Sequence, residues 1–519
     1  MPVFQPNVAP PGVSEFIYSQ TLDGGSVDLR NIIARDFLQR RKRNADDDIL
    51  VEQFIDFDED EDNIINQTKR RRPGGSNSRH RPVYEDSTWG KMLRDQHSEL
   101  LLPESDAARI FRRRFRIPYT IFLELLGWTK EWHEKSTTDA SGRARIPTEL
   151  KLLGVLRILG RATCFDGIFE LSGISISTMQ SFFHEFTKWF RAEVYPKHVY
   201  TPNTYEELVE IEGSYSYLGL PGAIGSMDVV HIAWCMCPAY LSNLATGKEG
   251  YPSIAYNVIC DHNGRAIAVL PGAYGSINDK TIVRFDDFVD DVRCLDFFTK
   301  FEYNVRTGAR LDDHEMLAGA WIIVDGGYHK WEVTQAASKI DQNPFYAQWR
   351  TQMESVRKDI ECFFGRLKAR FRLLKTPVSF HKKIDIDNAF FTCVGLQNML
   401  HDWDTETGRL ASWNVDAHFT DPEGQFHDED GTDDDEARFW CRPKLRKAQK
   451  RNEFFVPEPC DDFSDCGTKS FPLGVTRVVG HQEPCSGETS RYYAKQEKLV
   501  EHYKQVLASN SERRPWLRS

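Results

Sequence analysis

Two spacings of apolar residues divide the middle of the chain. Between about residues 91 and 205 the apolar positions recur every three or four residues, as at Phe115, Phe122 and Leu125, which predicts amphipathic helices. Between about 206 and 405 continuous apolar runs appear, of the kind that buried strands carry. We therefore predict a helical domain followed by an α/β domain, in which a mixed sheet is flanked by helices.

The predicted α/β domain begins with strands and ends with a long helix. Strands are expected over 223–234, 254–260 and 266–270, with a hairpin turn at Asp-His-Asn-Gly, residues 261–264. A helix over 279–288 with Asp279 at its N-cap, a fourth strand over 321–324 and an amphipathic helix over 352–374 follow. This element order is that of an RNase H-like domain.

The helical domain contains a pattern typical of a helix-turn-helix motif. An apolar helix begins near residue 148, a short helix ends before Gly173, and Ser175 opens a helix that extends to about Phe190. Any small helical bundle can give the same pattern, so these residues alone leave both interpretations open.

Charged blocks mark both ends of the chain. Residues 45–62 carry ten acidic side chains and residues 421–436 carry nine, and neither block contains Lys or Arg. The net charge of −11 therefore conceals a charge of +8 on the rest of the chain, which suits a partner of phosphate backbones. We predict disordered charged tails at 1–90 and 406–519, the second with a terminal helix over 492–507.

Other composition features narrow the class of protein. No apolar run approaches the roughly 20 residues of a transmembrane helix, and no secretory signal is recognisable. The eleven scattered cysteines indicate reduced intracellular thiols, and those near the C-terminus fit no zinc-ligand spacing. Basic clusters at 40–43 and 69–72 are compatible with a nuclear import signal and equally with a solvated charge run.

Three carboxylates occupy positions suited to a metal site that cleaves phosphodiesters. Asp228 lies inside the first predicted strand, Asp325 directly follows the fourth, and Glu361 lies on the long helix. A carboxylate in an apolar strand is costly to bury unless it is paired or binds a metal. Mg²⁺ prefers carboxylate oxygens, and two such ions can activate a nucleophile and stabilise a leaving oxygen. Glu354, two helical turns before Glu361, is the alternative third ligand.

Several further residues have both a functional and a structural interpretation. His231, three positions after Asp228, either shapes the site or is a hydrogen-bonded structural histidine. Asp261 and Asp279 either support the metal site as outer carboxylates or are, as we expect, a turn residue and a helix N-cap. Basic side chains on two predicted helices would either clamp DNA phosphates or form solvated faces: Lys188, Arg191, Arg366, Lys368, Arg370 and Arg372.

The order of these blocks resembles the PIF/Harbinger family of DDE transposases and their domesticated derivatives. The resemblance extends from about residue 110 to 402 and is carried by Asp228 with His231, by Asp-Gly-Gly-Tyr at 325–328, and by the helix from Glu361 through Phe-Gly-Arg-Leu-Lys-Ala-Arg-Phe at 364–371. Asn398 to His401 resembles the closing block of the family. Cys362 departs from the pattern, because the family more often has a polar residue there.

The resemblance implies a transposase whose catalytic and metal-binding residues are Asp228, Asp325 and Glu361, with two Mg²⁺ ions, or Mn²⁺, as cofactor. It implies double-stranded DNA as partner, both as transposon terminal repeats and as target, together with a separate Myb-like DNA-binding protein and a place in the nucleus. It favours the helix-turn-helix interpretation of 148–190, and a homo-oligomer is compatible with it. The alternatives are a domesticated, non-transposing DNA-binding or chromatin protein that retains the fold, and a nuclease that does not integrate DNA.

Overall fold

The structure, a computed structural model, describes residues 83–134, 145–308, 310, 313–337, 344–406 and 487–509. All of these described residues belong to one compact unit. The predictions for both acidic blocks, both basic clusters and the cysteines near the C-terminus concern residues outside these ranges.

The first part of the described chain is helical. A 3₁₀ turn over Tyr84–Asp86 leads into α1 (Thr88–Asp95), α2 (His97–Leu100), α3 (Asp106–Phe115), α4 (Tyr119–His133), α5 (Thr148–Arg161), α6 (Phe165–Ser172) and α7 (Ile176–Trp189). A π turn over Phe190–Val194 precedes α8 (Tyr195–His198) and α9 (Tyr205–Tyr217). The helical part begins before the predicted boundary at residue 91, because Trp89 is buried against Phe115 with ring centroids 5.5 Å apart.

Strands and helices then alternate. The chain forms β1 (Ala223–Ala233), a 3₁₀ turn (Ala239–Leu241), α10 (Ser242–Ala245), β2 (Ser253–Cys260), β3 (Ala266–Val269), β4 (Ala273–Tyr274), α11 (Asp279–Val283), α12 (Asp287–Cys294) and α13 (Asp296–Thr299). It continues with β5 (Glu302–Arg306), β6 (His314–Ala318), β7 (Trp321–Val324), β8 (Thr334–Ala336), α14 (Pro344–Arg370), a 3₁₀ turn (Arg372–Leu374), α15 (Lys383–Glu406) and α16 (Glu488–Ser509). No helix in these ranges is long and apolar enough to span a membrane.

A mixed sheet organises the α/β part. Within the described ranges its strand order is β3-β2-β1-β7-β8, and β4 also pairs with β2. The first three strands pair antiparallel, whereas β1–β7 and β7–β8 are parallel. The predicted α/β class with a mixed sheet flanked by helices is confirmed, and the topology is compatible with an RNase H-like fold.

Several local features differ from the sequence prediction. The hairpin β5–β6 and the edge strand β8 were not expected, because β6 is almost fully solvent-facing and β8 has only three residues. The helix predicted over 279–288 is divided into α11 and α12. Asn278, whose side chain accepts from the Thr281 N–H, caps α11, so the cap prediction for Asp279 was wrong. The long helix α14 begins at Pro344, earlier than predicted.

One hydrophobic core joins the helical part to the sheet. It contains Phe111 of α3, Phe183 of α7, Val230 of β1, Phe363 of α14 and Phe390 of α15. α7 packs against both α5 and α15, which leaves only one of its faces exposed. A helix-turn-helix function for α5 to α7 therefore remains a prediction, with a half-buried helix as its candidate recognition element.

A buried carboxyl group lies beneath the start of β1. Glu212 of α9 is 1 % exposed, and its Oε1 accepts from the Gly222 N–H at 2.8 Å. Burial raises its pKa from the ordinary value of 4.5 to about 7. Because the folded state favours the protonated form, this group stabilises fully below pH 4.5, and the contribution is lost as the pH rises through 7.

We expect Glu212→Gln to raise the free energy of unfolding at pH 8 by about 3 kcal/mol, and to change it little at pH 4.5. The amide keeps an oxygen acceptor for Gly222 and carries no charge. Chemical unfolding at the two pH values measures the effect, with Glu210→Gln, an exposed position on the same helix, as control. A gain that is the same at both pH values, or in both variants, would contradict this explanation.

Candidate active site

The parallel pairing of β1 with β7 brings two of the predicted carboxylates to the same level. Ser226 pairs with Ile323, and two residues further along both strands lie Asp228 and Asp325. Residues two apart on a strand point to the same face, so the two carboxylates are expected on the same face of the sheet. Asp325 comes directly after the last residue of β7, and its Oδ2 accepts from the Gly327 N–H at 3.3 Å.

A single arginine of α14 contacts the other acidic candidates. Arg357 Nη2 lies 2.7 Å from Glu361 Oε1, Nη1 lies 3.6 Å from Asp228 Oδ2, and Nε lies 3.1 Å from Glu354 Oε2. The structure therefore brings Asp228 and Glu361 to one guanidinium, together with the alternative third ligand. The spacing of Arg357 from Glu354 and Glu361, three and four residues, is the signal in the sequence that places them on one helix face.

Asp228 lies in an environment that opposes its ionisation. Burial raises the pKa of Asp228 to about 6. The hydrogen bond from the Val229 N–H and the positive charge of Arg357 lower it, but they do not offset the effect of burial. The neighbouring carboxylates of Asp279 and Glu361 raise it further. Glu361 is therefore within electrostatic reach of Asp228, across the gap between α14 and the sheet.

A buried tyrosine faces the same acidic groups. Tyr328 is 6 % exposed, and its hydroxyl has no hydrogen-bond partner among the residues that the structure describes. Burial raises the pKa of Tyr328, and the carboxylates of Asp228, Asp279 and Asp325 raise it further. An orphaned hydroxyl beside several carboxylates is the arrangement that a bound cation, water or phosphate completes. The sequence places Tyr328 in the block at 325–328, but it does not indicate that the Tyr328 hydroxyl faces these carboxylates.

The donor chemistry suits a hard divalent cation, although the donors are not drawn together. Within the described ranges, no group of three or more His, Cys, Asp or Glu side chains is placed so that it could hold a metal ion. Arg357 lies between Asp228 and Glu361 and supplies the positive charge there. The oxygens of the three carboxylates are ligands of the type that Mg²⁺ prefers, and the unpartnered Tyr328 hydroxyl lies beside two of them.

Two other candidates have structural contacts. His231 Nδ1 lies 3.1 Å from Ser253 Oγ of β2, and burial lowers the pKa of His231. Asp261 is a turn residue as expected, since its Oδ1 accepts from the Arg265 N–H at 2.8 Å and its carbonyl accepts from the Gly264 N–H. Both residues stabilise the pairing of β2 with its neighbours.

The six predicted DNA-binding side chains separate into two groups. Four donate to the protein itself: Arg191 to Asn388 at 3.2 Å, Arg366 to the Gly264 carbonyl at 2.7 Å, Lys368 to the His231 carbonyl at 3.3 Å and Arg370 to Gln397 at 2.9 Å. Lys188 and Arg372 are exposed. These two are therefore the candidates best placed for contact with phosphate.

A second basic group, not indicated by the sequence, lies on α3, at its C-cap and on α5. This arginine cluster consists of Arg114, Arg116, Arg157 and Arg161. Arg157 Nη1 donates to the Arg114 carbonyl at 3.2 Å, and the side chain of Arg116 lies against Gly160 of α5. Burial lowers the pKa of Arg157, and the positive charges of the other three arginines lower it further. Such a concentration of like charge is typical of a surface that binds phosphates.

Comparison with known proteins gives one match. Residues 198–407 match a family model described as "Plant transposon protein". No curated protein and no solved structure matches the chain. The matched range runs from the end of α8 past the end of α15, so it contains β1, β7 and α14 with Asp228, Asp325 and Glu361. Over this range the chain is similar to plant transposon proteins, which supports a transposon-related family and suggests a transposase-related role.

Proposed function

We propose that the protein is a metal-dependent DNA transposase of the PIF/Harbinger type, with Asp228, Asp325 and Glu361 as its catalytic triad. One observation carries the proposal: the β1–β7 pairing sets Asp228 level with Asp325, while α14 brings Glu361 to the guanidinium that also contacts Asp228. The match over 198–407 supports it, because that range contains all three residues.

The proposed reaction has two steps. When bound, Mg²⁺ or Mn²⁺ activates the attacking oxygen and stabilises the leaving oxygen, and two such ions are proposed here. Asp228 and Asp325 would hold them from the sheet, and Glu361 from α14. Water first attacks a phosphorus at the transposon end, and the P–O3′ bond breaks to leave a free 3′-OH. This hydroxyl then attacks a phosphorus of the target DNA, and the 3′ oxygen of the target leaves.

Glu361 is the better candidate for the third ligand. It is among the charges that raise the pKa of Asp228, and its contact with Arg357 is to the same end of the guanidinium that faces Asp228. Glu354 contacts Nε, at the inner end of that group. The geometry therefore favours Glu361 over the alternative.

The basic surfaces suggest a path for double-stranded DNA. α5 packs against the 3₁₀ turn that follows α14, so the exposed Arg372 lies beside the helix that carries Arg157 and Arg161. From Glu361 to Arg370 the helix rises about 13 Å, which is within the contact length of a short duplex. Transposon ends and target DNA would meet the protein in the nucleus. A Myb-like partner and a homo-oligomer would assist in pairing two ends.

The direct test is cleavage of DNA that carries the flanking repeats of the element encoding this chain. With Mg²⁺ we expect cuts at the repeat ends, and with the repeats scrambled we expect none. Sequence-specific binding without any cut, in Mg²⁺ or Mn²⁺, would instead support the domesticated DNA-binding protein.

We expect Glu361→Gln to lower the cleavage rate by on the order of 100-fold or more, because a neutral amide is a poor ligand for a hard cation. Glu354→Gln, on the same helix face, should lower it by less than about tenfold. Single-turnover cleavage measures both rates. A greater loss in Glu354→Gln would reassign the third ligand to Glu354.

A further inference from the structure

We propose that Arg357 is a positioning residue that takes the place of the divalent metal: its guanidinium holds Asp228 and Glu361 together in the metal-free protein and releases them when metal binds. The inference rests on the proposed metal site and adds to it the group with which the metal competes. Arg357 itself touches no substrate in this proposal.

One guanidinium, that of Arg357, contacts three carboxylates at once. Each of its nitrogens faces a different carboxylate, namely Glu361 at 2.7 Å, Glu354 at 3.1 Å and Asp228 at 3.6 Å. The side chains of Arg357 and Asp228 are 15 % and 27 % exposed, so water screens this contact less than the contacts with Glu354 and Glu361, which are 40 % and 47 % exposed. A planar fork of donors can make these three contacts, whereas the single ammonium group of a lysine cannot.

The charges within this group do not balance. Three carboxylates surround one guanidinium, which leaves a formal net charge of −2. Asp325, which directly follows the neighbouring strand β7, lies level with Asp228. Asp228, whose side chain is 27 % exposed, is the most buried of the three carboxylates, so a charge left unmatched there is the most costly. An excess of two negative charges is what a divalent cation neutralises.

Arg357 and a metal ion cannot share the same two oxygens. An ion bound to both Asp228 and Glu361 would sit about 2.1 Å from each oxygen. The Arg357 nitrogens already face those oxygens at 3.6 and 2.7 Å, and a guanidinium and a divalent ion so close together repel strongly. The ion therefore binds only after the Nη atoms leave.

Glu354 provides the partner for the displaced side chain. Its Oε2 contacts Nε, the nitrogen nearest to the helix, so the Nη atoms can turn away while this bond persists.

The test is Mn²⁺ binding to the full chain without DNA, measured by calorimetry. We expect Arg357→Gln to bind Mn²⁺ about tenfold more tightly than the parent, because a positive charge and a competitor are both removed. Arg357→Lys, which keeps the charge and loses the fork, should show a smaller gain. Arg350→Gln, an exposed position two turns earlier on the same helix, is the control and should change the affinity by less than about twofold.

Thermal unfolding supplies a second readout. Without metal, Arg357→Gln should have a lower Tm than the parent, and Mn²⁺ should raise the Tm of the variant by more than it raises that of the parent. An arginine with a purely structural role would lower the Tm equally with and without Mn²⁺ and leave the affinity unchanged. Unchanged or weaker Mn²⁺ binding in both Arg357 variants overturns the inference.

Two further variants separate this inference from the proposed function. If Asp228→Asn and Asp325→Asn both abolish Mn²⁺ binding while Arg357→Gln binds no more tightly than the parent, the metal site stands and only the role of Arg357 is wrong. If the two Asp variants bind Mn²⁺ as the parent does, the metal site is wrong and the inference is overturned with it.

Discussion

Asp228→Asn and Asp325→Asn should each lower Mg²⁺-dependent cleavage of transposon-end DNA by about 1,000-fold or more. Each substitution replaces a proposed carboxylate ligand by a neutral amide, at the level of the sheet where β1 and β7 lie side by side. Binding of the same DNA should change little, because the proposed phosphate contacts come from basic side chains elsewhere. Cleavage and filter-binding assays on one protein preparation separate the two effects.

The fold should survive these substitutions. Burial raises the pKa of Asp228 to about 6, so the stability that this group contributes is full below its ordinary value of 3.8 and is lost as the pH rises through 6. At pH 7.5 the asparagine therefore removes a buried charge, and the Tm of Asp228→Asn should equal or exceed that of the parent.

Asp296→Asn is the matched control, since Asp296 is 77 % exposed on α13. It should leave both cleavage and Tm unchanged. Parental cleavage rates in Asp228→Asn and Asp325→Asn would end the enzyme proposal.

Removal of α16 should be the most destabilising change to the described fold. The helix buries Leu499, Val500 and Tyr503 in the core that also contains the N-terminal half of α14. Its polar side chains satisfy backbone groups of the sheet region: Gln496 donates to the Ala336 carbonyl at 3.0 Å, and His502 Nδ1 accepts from the Arg306 N–H at 2.8 Å. The three apolar side chains alone contribute about 6 kcal/mol, a large share of the 5–15 kcal/mol by which most domains are stable.

A chain that ends at residue 486 should therefore aggregate or lose its cooperative thermal transition. Two point variants give a graded test on the intact helix. Tyr503→Ala, at a site 4 % exposed, should cost about 3–5 kcal/mol, whereas Tyr493→Ala, at a site 41 % exposed, should cost less than about 1 kcal/mol. Similar losses in the two variants, measured by chemical unfolding, would show that α16 does not dock as described.

The sequence predicted best where one short stretch determines the structure. The apolar run Trp321–Val324 is β7 residue for residue, since four apolar residues between Gly-Ala and Asp-Gly leave no other boundaries. The turn at 261–264 forms because Gly264 takes a φ of +81° and Asp261 closes the loop. With both strands placed, the level positions of Asp228 and Asp325 follow from parallel pairing.

The sequence predicted poorly where contacts join distant segments. Helical spacing places Arg357 beside Glu361, but it does not indicate that Asp228, on a strand far away in sequence, lies across from both. The arginine cluster needs α3 packed on α5, and four of the six proposed DNA contacts proved to have partners within the protein. The edge strand β8 has no alternation of apolar and polar residues. Gln496 of α16, far along the chain, stabilises it by a hydrogen bond to the Ala336 carbonyl.

The single core that joins the helical part to the sheet fixes the distance between the arginine cluster and the predicted triad. Phe111 of α3 and Leu156 of α5 belong to the same packed cluster as Val230 of β1, so α3 and α5 cannot move relative to β1 without opening that cluster. A duplex held by Arg157 and Arg161 would then present its backbone to the triad at a constant offset, and the roughly 13 Å rise along α14 corresponds to about four base pairs. In the proposed complex, side-chain packing would therefore set the distance from the bound segment to the cut, and DNA sequence would set only the position at which the protein binds.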